Sequence, residues 1–284
     1  MNKAKTLVLA DSGCDIPVSY ARDYDLRILP LTVAYHDREY ADTELAPDYV
    51  YDHFREEIPK TAALNIDEVS EAVDKAVADG YERIIGITIS GAMSSTFNAM
   101  SVALKAAADR IESYAFDTKN ISIGSGFYAI WAALKLSEGF GFKEVVKGLE
   151  DRISNSKVFY YMDTLEYLRK GGRITPSVAI VGKLLHIKPI ISCNAEGVYY
   201  TVAKIRGSSR AVQRLVEEAI MPQVQKGTHW IALLNGRGSE FASAAKQLIA
   251  ERLPDAPLII EKQIVPSMAI HTGPGLLGIG IFEL

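Results

Sequence analysis

The chain has 284 residues, 48% of them hydrophobic, enough to bury one large core or two ordinary ones, which argues against disorder. Its 31 basic and 35 acidic residues give a formal charge of -4, so the composition offers no electrostatic reason to expect a nucleic-acid or anionic-membrane partner. Residues 1–11 carry two lysines and a short apolar run ending on Asp11, too short and polar for a signal segment, and no apolar stretch reaches the ~18–20 residues of a membrane span. The reading is a cytoplasmic protein with no stable membrane anchor, in which Cys14 and Cys193, lacking CxxC spacing, are reduced thiols.

Strand-like and helical patterns alternate through the first half. Residues 5–10 read as a strand, 17–24 as a helical segment with Pro17 at its first position, 28–34 as a strand, and 83–89 as a buried strand leading into a long helix near Ser94. Between them, 67–78 sets Val69, Ala72, Val73, Ala76 and Val77 on one helical face, with Asn65 as N-cap, Glu68 three residues on and Gly80 beyond the end. Residues 124–136 and 142–153 read as two more helices, separated at Gly139 and Gly141. This alternation implies a parallel sheet covered by helices.

After Ser156 the texture changes. Residues 158–162, 188–192, 197–205, 230–235, 258–264 and 278–282 read as a second set of strands, with a hairpin at Asn194-Ala195-Glu196-Gly197. A mixed sheet and a domain boundary near 155 follow, giving 1–155 and 156–284 as the two units.

Four local features carry chemistry. The strand 83–89 runs into a small-residue turn, Ser90 to Thr96, where backbone N–H groups at a helix N-terminus and the Ser94, Ser95 and Thr96 hydroxyls suit a carboxylate or phosphate; plain helix capping is the bland alternative. Asp11, Ser12 and Asp15 form a second strand-to-helix turn, read mainly as helix-start structure because no His or third carboxylate stands at ligand spacing. Gly273-Pro274-Gly275 with Gly278 matches GxGxxG literally, yet only six residues follow Gly278, so it opens no βαβ helix. His271 precedes it, and Lys170-Gly171-Gly172-Arg173 is a tight cationic turn.

Taken together, Asp11-Ser12 with Asp15, Lys60-Thr61, Ile89-Ser90 through Thr96-Phe97, Asp117-Thr118, Tyr167 through Ile174, Lys188-Pro189-Ile190 and His271 with Gly273-Pro274-Gly275 resemble the DegV family across the whole chain. The resemblance implies an N-terminal α/β/α domain with a parallel sheet, a C-terminal α/β domain with a mixed sheet, and a ligand between them. It further implies a non-catalytic, fatty-acid-binding subunit of a bacterial fatty acid kinase, serving phospholipid metabolism, with no cofactor and no metal. A long-chain fatty acid would keep its carboxylate at Ser94 and Ser95 with Thr61 and His271, its tail buried. A separate ATP-binding kinase subunit would phosphorylate that carboxylate to an acyl phosphate, with Arg173 and Arg206 near the headgroup or the kinase-facing surface. Burying ~15 methylenes at ~0.8 kcal/mol each favours binding by roughly 12 kcal/mol before association costs, so the tail sets affinity and the headgroup sets orientation.

Two stretches depart from the family pattern. Ser94-Ser95-Thr96-Phe97 stands where Ser-Gly-Thr-Tyr is common, and Lys60-Thr61-Ala62-Ala63-Leu64-Asn65 loses a hydroxyl and a proline. The alternatives are a serine hydrolase using Ser94, His271 and Asp11 or Asp117, although Ser94 lies outside a Gly-Xaa-Ser-Xaa-Gly elbow, and a binder of another small carboxylate or phosphate.

Overall fold

The computed structural model describes residues 1–174, 178, 187–206, 210–224, 228–254 and 258–284. A four-stranded parallel sheet, in the order β2-β1-β6-β7, is built from β1 (Thr6–Asp11), β2 (Leu26–Leu29), β6 (Arg83–Thr88) and β7 (Glu112–Asp117). β1 is buried along its whole length, as a central parallel strand must be, and alternation divides its side chains between two layers. Leu7 and Leu9, with Ile84 of β6, pack on α3 (Ile66–Ala78) and α4 (Thr96–Ala106). Val8 and Ala10, with Ile85 and Ile87, join the cluster that contains α5 (Ile123–Ser137) and residues of α6 (Phe142–Asp151).

The expected helix at 67–78 is α3, opened by a complete capping box in which Asn65 accepts the Glu68 N–H at 2.9 Å and Glu68 accepts the Asn65 N–H at 2.7 Å. One expected strand is two. Residues 28–34 break after Leu29, because Pro30 lacks an N–H and fixes φ, so β2 stays in the parallel sheet while β3 (Thr32–Ala34) leaves it. Pro17 is the N-cap of α1 (Val18–Asp23) rather than its first residue.

β3 pairs antiparallel with β4 (Glu39–Ala41) and β5 (Lys60–Ala62) in a small sheet that the sequence reading lacks. Its strands are three residues each, too short to display a period.

The second large sheet has the order β10-β9-β8-β13-β11-β12, with β8 (Ser156–Tyr161), β9 (Ile187–Cys193), β10 (Tyr199–Arg206), β11 (His229–Gly236), β12 (Leu258–Gln263) and β13 (Leu276–Glu283). Only β11 and β12 run parallel, so the sheet is mixed, and all six strands correspond to expected ones. The β9–β10 hairpin turns at Asn194 to Gly197, where Gly197 takes φ 78°.

α5 lies between the two large sheets, packed on β1 on one side and on β8 and β13 on the other. Twelve of its fifteen residues are buried, the signature of a helix with no solvent face. Beyond the second sheet, Leu277, Ile279 and Ile281 of β13 meet the helices Ala211–Arg214 and Ser239–Arg252. Among the described residues no helix is long and apolar enough to cross a membrane.

Candidate functional site

In the parallel sheet the chain moves outward from β1 to β2 on one side and to β6 and β7 on the other. The connections leaving β1 and β6 therefore diverge, and the crevice at the carboxyl ends of these strands is a topological switch point. A cavity of about 230 Å³ lies there. Its polar wall is Thr61, Ser94, Ser95, Ser267, His271 and Arg173, and its apolar wall includes Leu31, Ile89, Met93, Ile121 and Met268.

The polar groups arrive on four different elements. β5 delivers Thr61, the turn before α4 delivers Ser94 and Ser95, the helix Pro266–Thr272 delivers His271, and the loop after α7 (Glu166–Lys170) delivers Arg173. Thr61 Oγ1 and His271 Nε2 are 2.9 Å apart. Ser94 Oγ donates to Thr96 Oγ1 at 3.0 Å and accepts the Thr96 N–H at 3.3 Å, while Thr96 Oγ1 accepts the Leu64 N–H at 3.3 Å. Thr96 thus locks the segment after β5 to the start of α4. The positive end of the α4 dipole faces the same space as Ser94.

His271 is neutral at physiological pH, because burial, and then the Arg173 guanidinium, depress its pKa to about 4. A neutral imidazole carries one N–H. When Nε2 holds it and donates to Thr61 Oγ1, the threonine hydroxyl proton is free to point at an oxygen in the cavity. Nδ1 is buried with no hydrogen-bond partner.

Two glycines make this packing possible. A Cβ on Gly171 would lie 2.1 Å from His271 Nδ1, and one on Gly273, at φ 71°, would lie 2.2 Å from Tyr167 Cδ2. The glycine pair after α7 and the turn after His271 therefore interlock. A second cavity of about 380 Å³ shares Thr61, His271 and Arg173 with the first and adds Lys60 and Lys170. Lys170 pairs with Glu166 at 2.7 Å, and Arg173 Nη1 donates to the Gly171 carbonyl at 2.7 Å.

Five of the six candidate residues from the sequence, Thr61, Ser94, Ser95, His271 and Arg173, line one cavity. Arg206 does not; it ends the edge strand β10, exposed, and lines neither cavity. Sequence reasoning missed Leu31, Met93, Ile121, Ser267 and Met268. Only Met93 carried a signal, through its place inside the Ser90 to Thr96 turn.

A family model described as "Uncharacterised protein, DegV family" matches residues 5–284. A DegV domain-containing protein of Clostridium perfringens is 36% identical over 281 residues, covering 98% of each chain. This chain belongs to the DegV family. A fatty-acid-binding DegV protein of Thermus thermophilus superposes with a TM-score of 0.89 at 25% identity, and DegV of Bacillus subtilis, a fatty acid binding protein, with 0.87 at 26%. Both matches cover the whole of each chain.

Within this DegV chain, the serine that replaces the usual glycine of the turn is easily accommodated. Ser95 has φ -72° and ψ -3°, ordinary right-handed backbone, and its side chain is exposed at the cavity mouth. The groups weighed for a hydrolytic triad are engaged elsewhere. Asp11 accepts the Ile89 N–H at 2.9 Å, Asp117 pairs with Lys119 at 2.7 Å, and His271 bonds Thr61 rather than Ser94.

Proposed function

We propose that this chain binds a long-chain fatty acid, holding the carboxylate at Thr61, Ser94 and His271 and burying the tail, and that it presents the carboxylate to a separate ATP-binding kinase subunit for conversion to an acyl phosphate. The observation that carries the reading is the two-sided character of the switch-point cavity. Hydroxyls and a neutral imidazole form one wall. The other includes Ile89, Ile121 and Met268, members of an apolar cluster that also contains Leu165, Leu168 and Tyr160. An amphiphile with a single acceptor end matches that polarity.

Thr61 supplies a hydroxyl donor to the carboxylate, Ser94 supplies a second by turning its proton from Thr96 Oγ1 to the ligand, and His271 orients the threonine proton by donating to its oxygen. Ser95 contributes at the mouth. Arg173, exposed beside His271, attracts the anion and faces the kinase subunit, and Arg206 forms a more distant part of that docking surface. In this reading 1–155 and 156–284 are two domains with the ligand between them. The chain acts in the cytoplasm, without catalysis of its own, in phospholipid metabolism.

The fatty-acid-binding relatives support the acyl ligand. Mass spectrometry of lipid extracted from the purified protein tests it, with about one fatty acid per chain expected and a sharp reduction in Ser94→Ala. Absence of lipid after incubation with fatty acids contradicts it. The kinase step is tested by adding an ATP-binding fatty acid kinase subunit with ATP and trapping acyl phosphate with hydroxylamine.

A further inference from the structure

Three acidic side chains, Asp11, Asp15 and Asp42, are buried behind the cavity without lining it. Asp42 opens the short turn Asp42–Glu44 after β4 and is 1% exposed. A single oxygen, Oδ2, accepts the Ser12 hydroxyl at 2.7 Å and the Ser267 hydroxyl at 2.6 Å. Ser12 Oγ in turn accepts the Leu31 N–H at 2.9 Å. One carboxylate oxygen thereby joins the turn after β1, a residue of the apolar cavity wall, and the helix Pro266–Thr272.

Ser267 and His271 stand four residues apart on that helix, on the same face, and both line the cavity. The residue before the helix is fixed separately, because Asp15 Oδ1 accepts the Val265 N–H at 2.8 Å and the Lys262 ammonium at 3.1 Å. Asp15 pins the entry of the seven-residue helix and the packing of Gly273 on Tyr167 pins its end, and between them the Ser267 hydroxyl on Asp42 is the polar contact that fixes the face carrying His271. Rotation about the helix axis carries His271 Nε2 away from Thr61 Oγ1, a contact that fails within a few tenths of an ångström beyond ~3.2 Å.

We propose that Asp42 is a positioning residue for the carboxylate site, acting through Ser267 and Ser12 to hold the His271 helix in the rotation that meets Thr61. The inference deepens the fatty-acid reading and rests on it for the ligand. An ionised carboxylate suits the task because it has only acceptors and takes two hydroxyl protons on one oxygen.

The experiment measures affinity of the delipidated protein for a fluorescent long-chain fatty acid and for its methyl ester. Asp42→Ala weakens the acid about tenfold and the ester less than about twofold, and Asp42→Asn, which keeps an acceptor oxygen, restores most of the acid affinity. Combined with His271→Ala, Asp42→Ala adds no further loss. Equal loss for acid and ester, or additivity with His271→Ala, overturns the proposal. Should Asp42→Ala fail to fold, Ser267→Ala takes its place in the cycle with His271→Ala.

If the unaltered protein binds neither probe, the fatty-acid reading fails by itself. Positioning is then read from the imidazole nitrogen resonances of His271 in the ligand-free protein. They shift in Asp42→Ala and not in Asp42→Asn if the helix is held as described, and resonances unmoved by Asp42→Ala overturn it.

Discussion

Two turns leave neighbouring parallel strands at the same edge of the same sheet, one after β1 and one after β6. Both are made largely of small residues and carry serine, and both stand at the switch point where α/β sheets bind ligands. Hydrogen-bond accounting separates them. After β1, Ser12 and Asp15 are buried and committed to partners elsewhere in the chain, at Asp42, Ser122, Lys262 and Val265. After β6, Ser94 is half buried, bonds only to its own turn, and lines a cavity. Position in the fold nominates a turn for binding, and what its polar atoms have already engaged decides whether it can serve.

The largest expected effect is on the β1 side. Asp15→Ala leaves the Val265 N–H without its acceptor and the Lys262 ammonium without its carboxylate and is expected to cost about 3 kcal/mol of stability in urea denaturation. A loss within about 0.5 kcal/mol, the usual range for a surface change, breaks the contrast.

A pH series sharpens it. Burial raises the pKa of Asp11 to about 7 and that of Asp42 to about 6, so between about pH 4 and those values each folded carboxyl holds a proton that the unfolded chain, near its ordinary value of 3.8, has released, and above about pH 6 Asp42 is ionised. The native state then binds more protons, and this contribution is full below the unfolded value and is lost as pH rises through the folded values. Asp11→Asn removes the Asp11 share and should gain about 2 kcal/mol relative to the parent between about pH 5 and pH 8. His271 has the opposite sign, since its depressed pKa adds stability as pH rises from about 4 through 6.5.

Next come the cavity hydroxyls. Ser94→Ala and Thr61→Ala are each expected to weaken fatty-acid binding about tenfold while changing stability by less than about 0.5 kcal/mol, the reverse of the Asp15 profile. The smallest effect belongs to Arg206→Ala, which should leave fatty-acid affinity within about twofold and reduce only the rate of kinase-dependent phosphorylation.

The fold was legible because its large elements repeat their periods over enough residues. β1, β6 and α3 carry unbroken apolar patterns, and Asn65 with Glu68 announces the capping box. The rest hides for identifiable reasons. The strand carrying Thr61 has three residues, too few for alternation to show. The helix carrying His271 is buried at six of its seven positions, so it displays no polar face. Asp42 meets Ser12 across 30 residues and Ser267 across 225, separations that no local pattern encodes. Ser94 was legible in its small-residue turn and His271 beside its glycine-proline turn, Thr61 was reached through family resemblance, and the convergence of the three depends on strand order.

The central claim, that the acyl carboxylate is held by the turn after β6, is tested most directly by carbon-13 NMR of carboxyl-labelled palmitate bound to the delipidated protein. The account predicts one bound carboxyl resonance, displaced from that of free palmitate, that moves in Ser94→Ala and in Thr61→Ala. A bound resonance indifferent to both substitutions would contradict it.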